Sequence, residues 1–140
     1  MLHIILDTSG SMVNLIPPLL SQISSFARNV GMEQVHILQC DTDIRKDEYV
    51  EIDQLDEYRI EGYGGNDMNP AMLKLAEDPE ISSVLIITDG YFGENDYPPE
   101  TDIPYDVLWC IPDEGSEWGI PVKPTFKYGQ VVYVPIADEG

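Results

Sequence analysis

Short apolar runs punctuate the chain. Leu2 to Leu6 (LHIIL), Val35 to Cys40 (VHILQC), Ser83 to Thr88 (SVLIIT), Tyr105 to Ile111 (YDVLWCI) and Gln130 to Ile136 (QVVYVPI) are each bounded by turn residues or acids. Runs of this length predict buried strands. Between the first two, Leu19, Leu20, Ile23, Phe26, Ala27 and Val30 recur at helical spacing. Pro17 and Pro18 suit the first turn of that helix and Gly31 its stop. Tyr49 to Asp53 alternates, with Val50 and Ile52 on one face, and predicts a half-buried edge strand paired as a hairpin with VHILQC. Asn69 and Pro70 read as N-cap and first residue of a short helix, Ala71 to Glu77, which Pro79 ends. GYGGN (Gly62 to Asn66) predicts a flexible loop. Gly90 to Pro104 and Pro112 to Lys127 predict longer ones, the first with room for a short helical turn.

Buried strands alternating with helices or long crossovers predict an α/β fold. Its central sheet is Rossmann-like and mostly parallel, with an antiparallel edge strand and few, short helices. No repeat or linker divides the chain, so residues 1–140 form one domain. Three of the predicted strands lead directly into acids: Asp7, Asp41 (with Asp43 beyond it) and Asp89. Open α/β sheets bind ligands beyond the carboxyl ends of their strands, so the pattern gathers three carboxylates at one rim.

Charge narrows the partners. Seven Lys and Arg against 26 Asp and Glu leave a net charge of −19. Such a surface repels nucleic acid and anionic membranes and favours cations or basic proteins. With 43% apolar residues the chain is not a disordered acidic tail. Cys40 and Cys110 lie in apolar runs and read as buried free thiols of a reducing, cytoplasmic compartment. His3 and His36 also lie in apolar runs and read as strand residues rather than ligands. MLHIILD has neither the basic start nor the long apolar stretch of a signal peptide, and no run approaches the ~20 residues needed to span a bilayer.

After the first strand comes D-x-S-x-S: Asp7, Ser9 and Ser11. Such a loop can turn one carboxylate and two hydroxyls toward a point. Hard cations such as Mg²⁺ want oxygen ligands. Neutral hydroxyls leave most of the metal's charge for an anionic oxygen from elsewhere. Asp7 and Asp89 would hold coordinated waters or bond the hydroxyls. Such a site suits gripping a partner's carboxylate.

Asp7-Thr8-Ser9-Gly10-Ser11-Met12 resembles the first motif of the von Willebrand factor A (VWA) fold, whose metal-ion-dependent adhesion site (MIDAS) uses D-x-S-x-S. The family supplies two further loops, a threonine after a glycine-rich turn and an Asp-Gly after a later strand. Asp89-Gly90 in LIITDGYFG is similar to the latter. Gly64-Gly65-Asn66-Asp67 falls at the former, with Asn66 in place of threonine. An asparagine carbonyl can ligate Mg²⁺ but is longer than threonine; Asn66 equally suits a left-handed turn beside glycines. CDTDI, GYGGNDMNPAM, DVLWCIP and YGQVVYV, in this order, resemble the compact VWA-like domains of prokaryotes and their viruses. Those domains form the carboxyl-terminal part of metallopeptidase-like proteins and are often encoded beside AAA ATPases. The larger preceding domain of such proteins is absent and Met1 stands almost on the first strand, as in a stand-alone minimal domain or a cut fragment. There is no H-E-x-x-H to supply zinc peptidase activity.

The resemblance implies a minimal VWA fold. Its metal ligands would be Asp7, Ser9, Ser11, Asn66 and Asp89, supported by Asp41, Asp67, Gly65 and Gly90. The cofactor would be Mg²⁺ (or Mn²⁺ or Ca²⁺). The function would be a protein-protein interaction module that binds a partner's Asp or Glu through the cation, with an AAA ATPase system as one source of partner. The family strand order, like 3-2-1-4-5-6, sets Cys40 and Cys110 three strands apart, about 14 Å, too far for a disulfide. Two alternatives stand beside this reading: a VWA-like scaffold with a degenerate, metal-free site, and a metal-dependent hydrolase, for which no general base is evident. An aspartic protease is disfavoured, because its dyad needs two such loops and the chain has one.

Overall fold

The computed structural model describes residues 1–8, 12, 14–60, 67–89, 96–113 and 126–135. In chain order the elements are β1 (Leu2–Asp7), α1 (Ile16–Asn29), β2 (Gln34–Cys40), β3 (Ile44–Glu51), α2 (Asn69–Ala76), β4 (Ser83–Ile87), β5 (Asp106–Asp113) and β6 (Gln130–Pro135). Short 3-10 turns follow β3 (Ile52–Glu57) and precede β5 (Glu100–Asp102). The strands form one sheet in the order β3-β2-β1-β4-β5-β6. Every neighbouring pair is parallel except β2 with β3. The architecture is the predicted one: a mostly parallel α/β sheet with one antiparallel edge strand.

The sheet has two apolar faces, because successive side chains alternate. On the first, Ile4, Leu6, Val35, Ile37 and Ile87 pack against Ile16, Leu19, Leu20 and Ala27 of α1. On the second, Ile5, Leu38, Ile86 and Trp109 pack beneath Ala71, Met72 and Leu75 of α2, together with Tyr97, Tyr105 and Tyr128. Cys40 belongs to the second face and Cys110 to the first, and both are buried free thiols.

Local sequence explains the helix ends. Proline stands in the first turn of α1, and Arg28 in the last turn pairs with Asp53 and Asp56 at 3.6 and 3.7 Å. Gly31 takes φ +77, which lets the Met32 amide return to the Ala27 carbonyl at 2.8 Å. Two boundaries differ from expectation. The edge strand begins at Ile44, not Tyr49, and Ile52 already lies in the 3-10 turn. The stretch IRKDE has too few apolar residues to announce a strand; an edge needs only backbone pairing and tolerates charge. Asn69 is not the cap of α2 but its first residue, and the Asp67 carboxylate accepts the Asn69 amide at 3.0 Å instead. The cap position falls to Met68, whose side chain caps nothing, while Asp67 closes a turn onto the Asn69 amide.

Trp109 anchors the second face. Its ring stacks on Phe126 at 4.1 Å and its Nε1 donates to the Tyr128 carbonyl at 2.8 Å. That carbonyl precedes Gly129, which takes φ +83. A Cβ at Gly129 would lie 2.7 Å from Trp109 Nε1 and 2.9 Å from the Val107 carbonyl, whereas one at Gly31 would meet nothing within 4 Å. Urea denaturation will therefore separate conformational strain from collision. Gly31→Ala is expected to lose about 1–2 kcal/mol from the left-handed φ alone, and Gly129→Ala about 2–4 kcal/mol, because overpacking adds to it.

Candidate functional site

The carboxyl ends of β2, β1 and β4 lie side by side. From β1 the chain continues to β2 on one side, while β4 leads on to β5 and β6 on the other, so the switch point of this sheet falls between β1 and β4. Asp7 ends β1 there and is fully buried. The buried Thr88 hydroxyl, just beyond β4, donates to Asp7 Oδ2 at 2.7 Å. Asp89 follows Thr88 and is half-buried. The Thr8 amide is held by the Cys40 carbonyl at 2.9 Å and the Thr88 amide by the Cys110 carbonyl at 3.2 Å, so neighbouring strands fix both loop starts. Asp41 is buried just past β2.

The four described acids near this rim do different work. Asp41 Oδ1 accepts from the Thr42 and Asp43 amides and from Arg45 Nε at 2.9 Å. It is a loop organiser already engaged by a guanidinium. Asp67 Oδ1 takes both the amide and the side-chain amide of Asn69, and its own amide donates to the Asp41 carbonyl at 2.6 Å. Asp41 and Asp67 therefore brace the base of the glycine-rich loop. Burial pushes the Cys40 thiol up to about 12, so it stays protonated and donates to the Asp67 carbonyl at 3.1 Å. Asp7 and Asp89 are the carboxylates placed at the switch point itself.

Ser9, Ser11, Gly65, Asn66 and Gly90 lie outside the described residues. Among the described residues no three His, Cys, Asp or Glu side chains converge on a cation position. The donor chemistry nevertheless fits a hard cation. A carboxylate as buried as Asp7 needs hydrogen bonds or a counter-charge to remain ionised. Thr88 supplies one such bond. Next to Asp7, the Thr8 hydroxyl is fully buried and has no hydrogen-bond partner among the described residues, so the rim offers a buried hydroxyl as well as a buried acid.

Sequence reasoning missed Thr88. It was only the last letter of an apolar strand, and a threonine there gives no sign that its hydroxyl meets an aspartate 81 residues away. It also missed a polar chain at the other end of the strands. His3 Nδ1 lies 2.9 Å from His36 Nδ1, His36 Nε2 lies 2.6 Å from Asp47 Oδ1, and Lys74 Nζ of α2 lies 2.5 Å from Asp47 Oδ2. Tyr49 stacks on the His36 ring at 4.7 Å. The histidines are strand residues as expected, but they are joined by hydrogen bonds rather than enclosed in apolar core. With His36 Nε2–H donating to Asp47, neutral His36 accepts at Nδ1 from His3. Four residues separate His3 from Asp7 along β1, roughly 13 Å, so this chain stands apart from the rim.

The fold is a doubly wound α/β sheet with a buried aspartate at its switch point and a second acid beyond the neighbouring strand. The sequence matches the VWA-like domain family DUF2201 over residues 2–134, and the chain belongs to that family. No curated protein and no solved structure matches it. Membership points to a protein-interaction scaffold. No helix among the described residues is long and apolar enough to cross a membrane.

Two measurements test this geometry. Thr88→Val, which keeps the shape and removes the donor to a buried carboxylate, is expected to lower stability in urea by about 1–3 kcal/mol, with Thr88→Ser restoring most of it. The second is pH. His3 is held below its ordinary 6.5, first by burial and then by His36. The folded state thus takes up that proton less readily than the unfolded chain, and stability falls as pH drops below 6.5. Burial raises Asp47, but Lys74 and His36 more than offset it and hold the carboxyl below its ordinary 3.8, so its contribution is lost only at lower pH. The urea midpoint should decline from pH 7 to pH 5 in the wild type and decline less in His3→Leu.

Proposed function

We propose that the domain is a protein-interaction module that grips a carboxylate of its partner through a divalent cation held at the switch-point rim. The observation that carries this reading is the fully buried Asp7 carboxylate, bonded to the Thr88 hydroxyl at 2.7 Å and set beside Asp89. Asp7, Ser9, Ser11, Asn66 and Asp89 would hold the cation, with Mg²⁺ first and Mn²⁺ or Ca²⁺ as substitutes. When bound, it would supply a positive centre that accepts an anionic oxygen. Asp41, Asp67, Gly65 and Gly90 serve by shaping the loops. The partner is basic overall, to suit the net charge of −19, and presents one Asp or Glu.

Binding is favoured over hydrolysis by the position of the bases. His3 and His36 lie near the amino ends of β1 and β2 and interact with each other and Asp47. Cys40 is a protonated, buried thiol. None of these offers a base or nucleophile at the rim.

Thermal melts with Mg²⁺ or Mn²⁺ test the proposal. A cation that binds the folded state alone stabilises it by about 2.7 kcal/mol at a hundred times its Kd, a rise of several degrees. The wild type should show this rise and Asp7→Asn and Asp89→Asn should not. An unchanged wild-type midpoint at millimolar metal would instead mark a metal-free VWA-like scaffold.

A further inference from the structure

The two faces of the sheet are covered unequally, and the chain's own connections explain why. The route from β3 to β4 first packs Ile52 and Leu55 against α1 on the first face, at the β2 side, and then passes over the second face through α2 and Ile81. The route from β4 to β5 returns over the same face through Tyr97, Ile103 and Tyr105, and the entry to β6 comes through Phe126 and Tyr128, also on that face. Right-handed crossovers between strands laid down in one direction must all pass over one side. The β1-to-β2 connection runs the other way, so α1, with the 3-10 turn Ile52–Glu57 beside it, covers the first face and is the sole α-helix among the described residues there. A helix is about 10 Å across and strands lie about 4.8 Å apart, so one helix covers roughly two strands.

Among the described residues the remainder of that face is open and apolar. Leu85, Leu108 and Val134 of β4, β5 and β6 form the floor of a groove of about 280 Å³, and Leu19, Ile23 and Phe26 of α1 form its wall. Phe26 is 56% exposed, and Val132, on the same side of β6, is 42% exposed. Gln22 reaches from α1 to the Pro135 carbonyl at 3.3 Å across this groove. Among the described residues no charged side chain lines it. Around it the field is anionic: Arg28, Arg45, Lys46 and Lys74 are each engaged by an acid of the chain itself, and the net charge is −19. Asp106 opens β5 on the same face as Leu108 and is exposed.

We infer that this groove is the docking site for an amphipathic helix of a partner protein, apolar on one side and rich in Lys and Arg on its flanks. Strands of five to eight residues give a floor about 17–26 Å long, the length of three to five helical turns. A helix laid there completes the layer that the described residues leave unfilled on this face, and its basic flanks meet the anionic surroundings. A second copy of this chain would bring another −19 against the first. The groove lies on a sheet face rather than at the rim of Asp7, so the inference does not depend on a metal.

The test uses three synthetic 16-residue peptides and the methyl NMR spectrum of the whole domain. The first carries leucines at i, i+3, i+4 and i+7 spacing with lysine flanks; the second has the same composition in scrambled order; the third keeps the leucine stripe with glutamate flanks. The expected result is that the first alone binds and becomes helical, shifts the Leu85, Leu108 and Val134 methyls, and does so equally in EDTA. Phe26→Asp, at an exposed position, should weaken it at least tenfold while leaving the free domain's melt unchanged, and Leu108→Ser should weaken it too. The inference is overturned if the scrambled peptide binds as well as the first, if the shifts fall outside the groove, or if no peptide binds. It is also overturned if the free domain dimerises in sedimentation and Phe26→Asp makes it monomeric, which would give the face to a second copy.

Discussion

Burying a carboxylate at the end of a central strand is the constraint around which the rim is built. Asp7 has strands on both sides, an apolar layer on each face and a fully buried side chain. An acid in that position is tolerable only if its oxygens are satisfied. The neighbouring strand provides Thr88 for that purpose, and the Cys40 and Cys110 carbonyls pin the residues that follow the strands. The second tier of acids, Asp41 and Asp67, is satisfied by backbone amides, Arg45 and Asn69. Charge at this rim is thus graded, from acids that brace loops to one held ready at the switch point.

The same economy appears at the amino ends of the strands. There the polar groups form a closed chain from His3 through His36 and Asp47 to Lys74, tying β1, β2, β3 and α2 together. α2 follows directly on the glycine-rich loop, so this chain fixes the helix from which that loop departs. One end of the sheet ties strands to a helix, and the other gathers acids at the switch point.

Much of this was legible in the sequence because parallel strands buried on both faces leave compact apolar runs. Every such run became a strand, and the acids at their ends became rim residues. The edge strand was legible only in its second half, since Ile44 to Glu48 gain order from pairing with β2 rather than from burial. The cap of α2 was misread because Asn69-Pro70 looks like a cap and first turn, yet the helix already includes Asn69 and leaves the cap position to Met68, which no local preference announces. Thr88 and the histidine chain were invisible for a shared reason: each interaction joins residues distant in sequence, and nothing local marks a hydroxyl or imidazole as having such a partner. The rim positions of Asp7, Asp41 and Asp89 followed from strand ends alone; Ser9, Ser11 and Asn66 rest on the motif.

The strand order also has a consequence for how the molecule comes into being. The β2–β3 hairpin is the one local pairing in the sheet. β1 meets β2 across 33 residues and β4 across about 81, so its pairings carry the greatest loop-closure entropy and topologies of this kind fold slowly. The central strand is therefore flanked on both sides only when the distant halves of the chain have met. Asp7 and Thr88 come together in that same event. The rim cannot form in a partly folded chain, so its acids meet only in finished molecules.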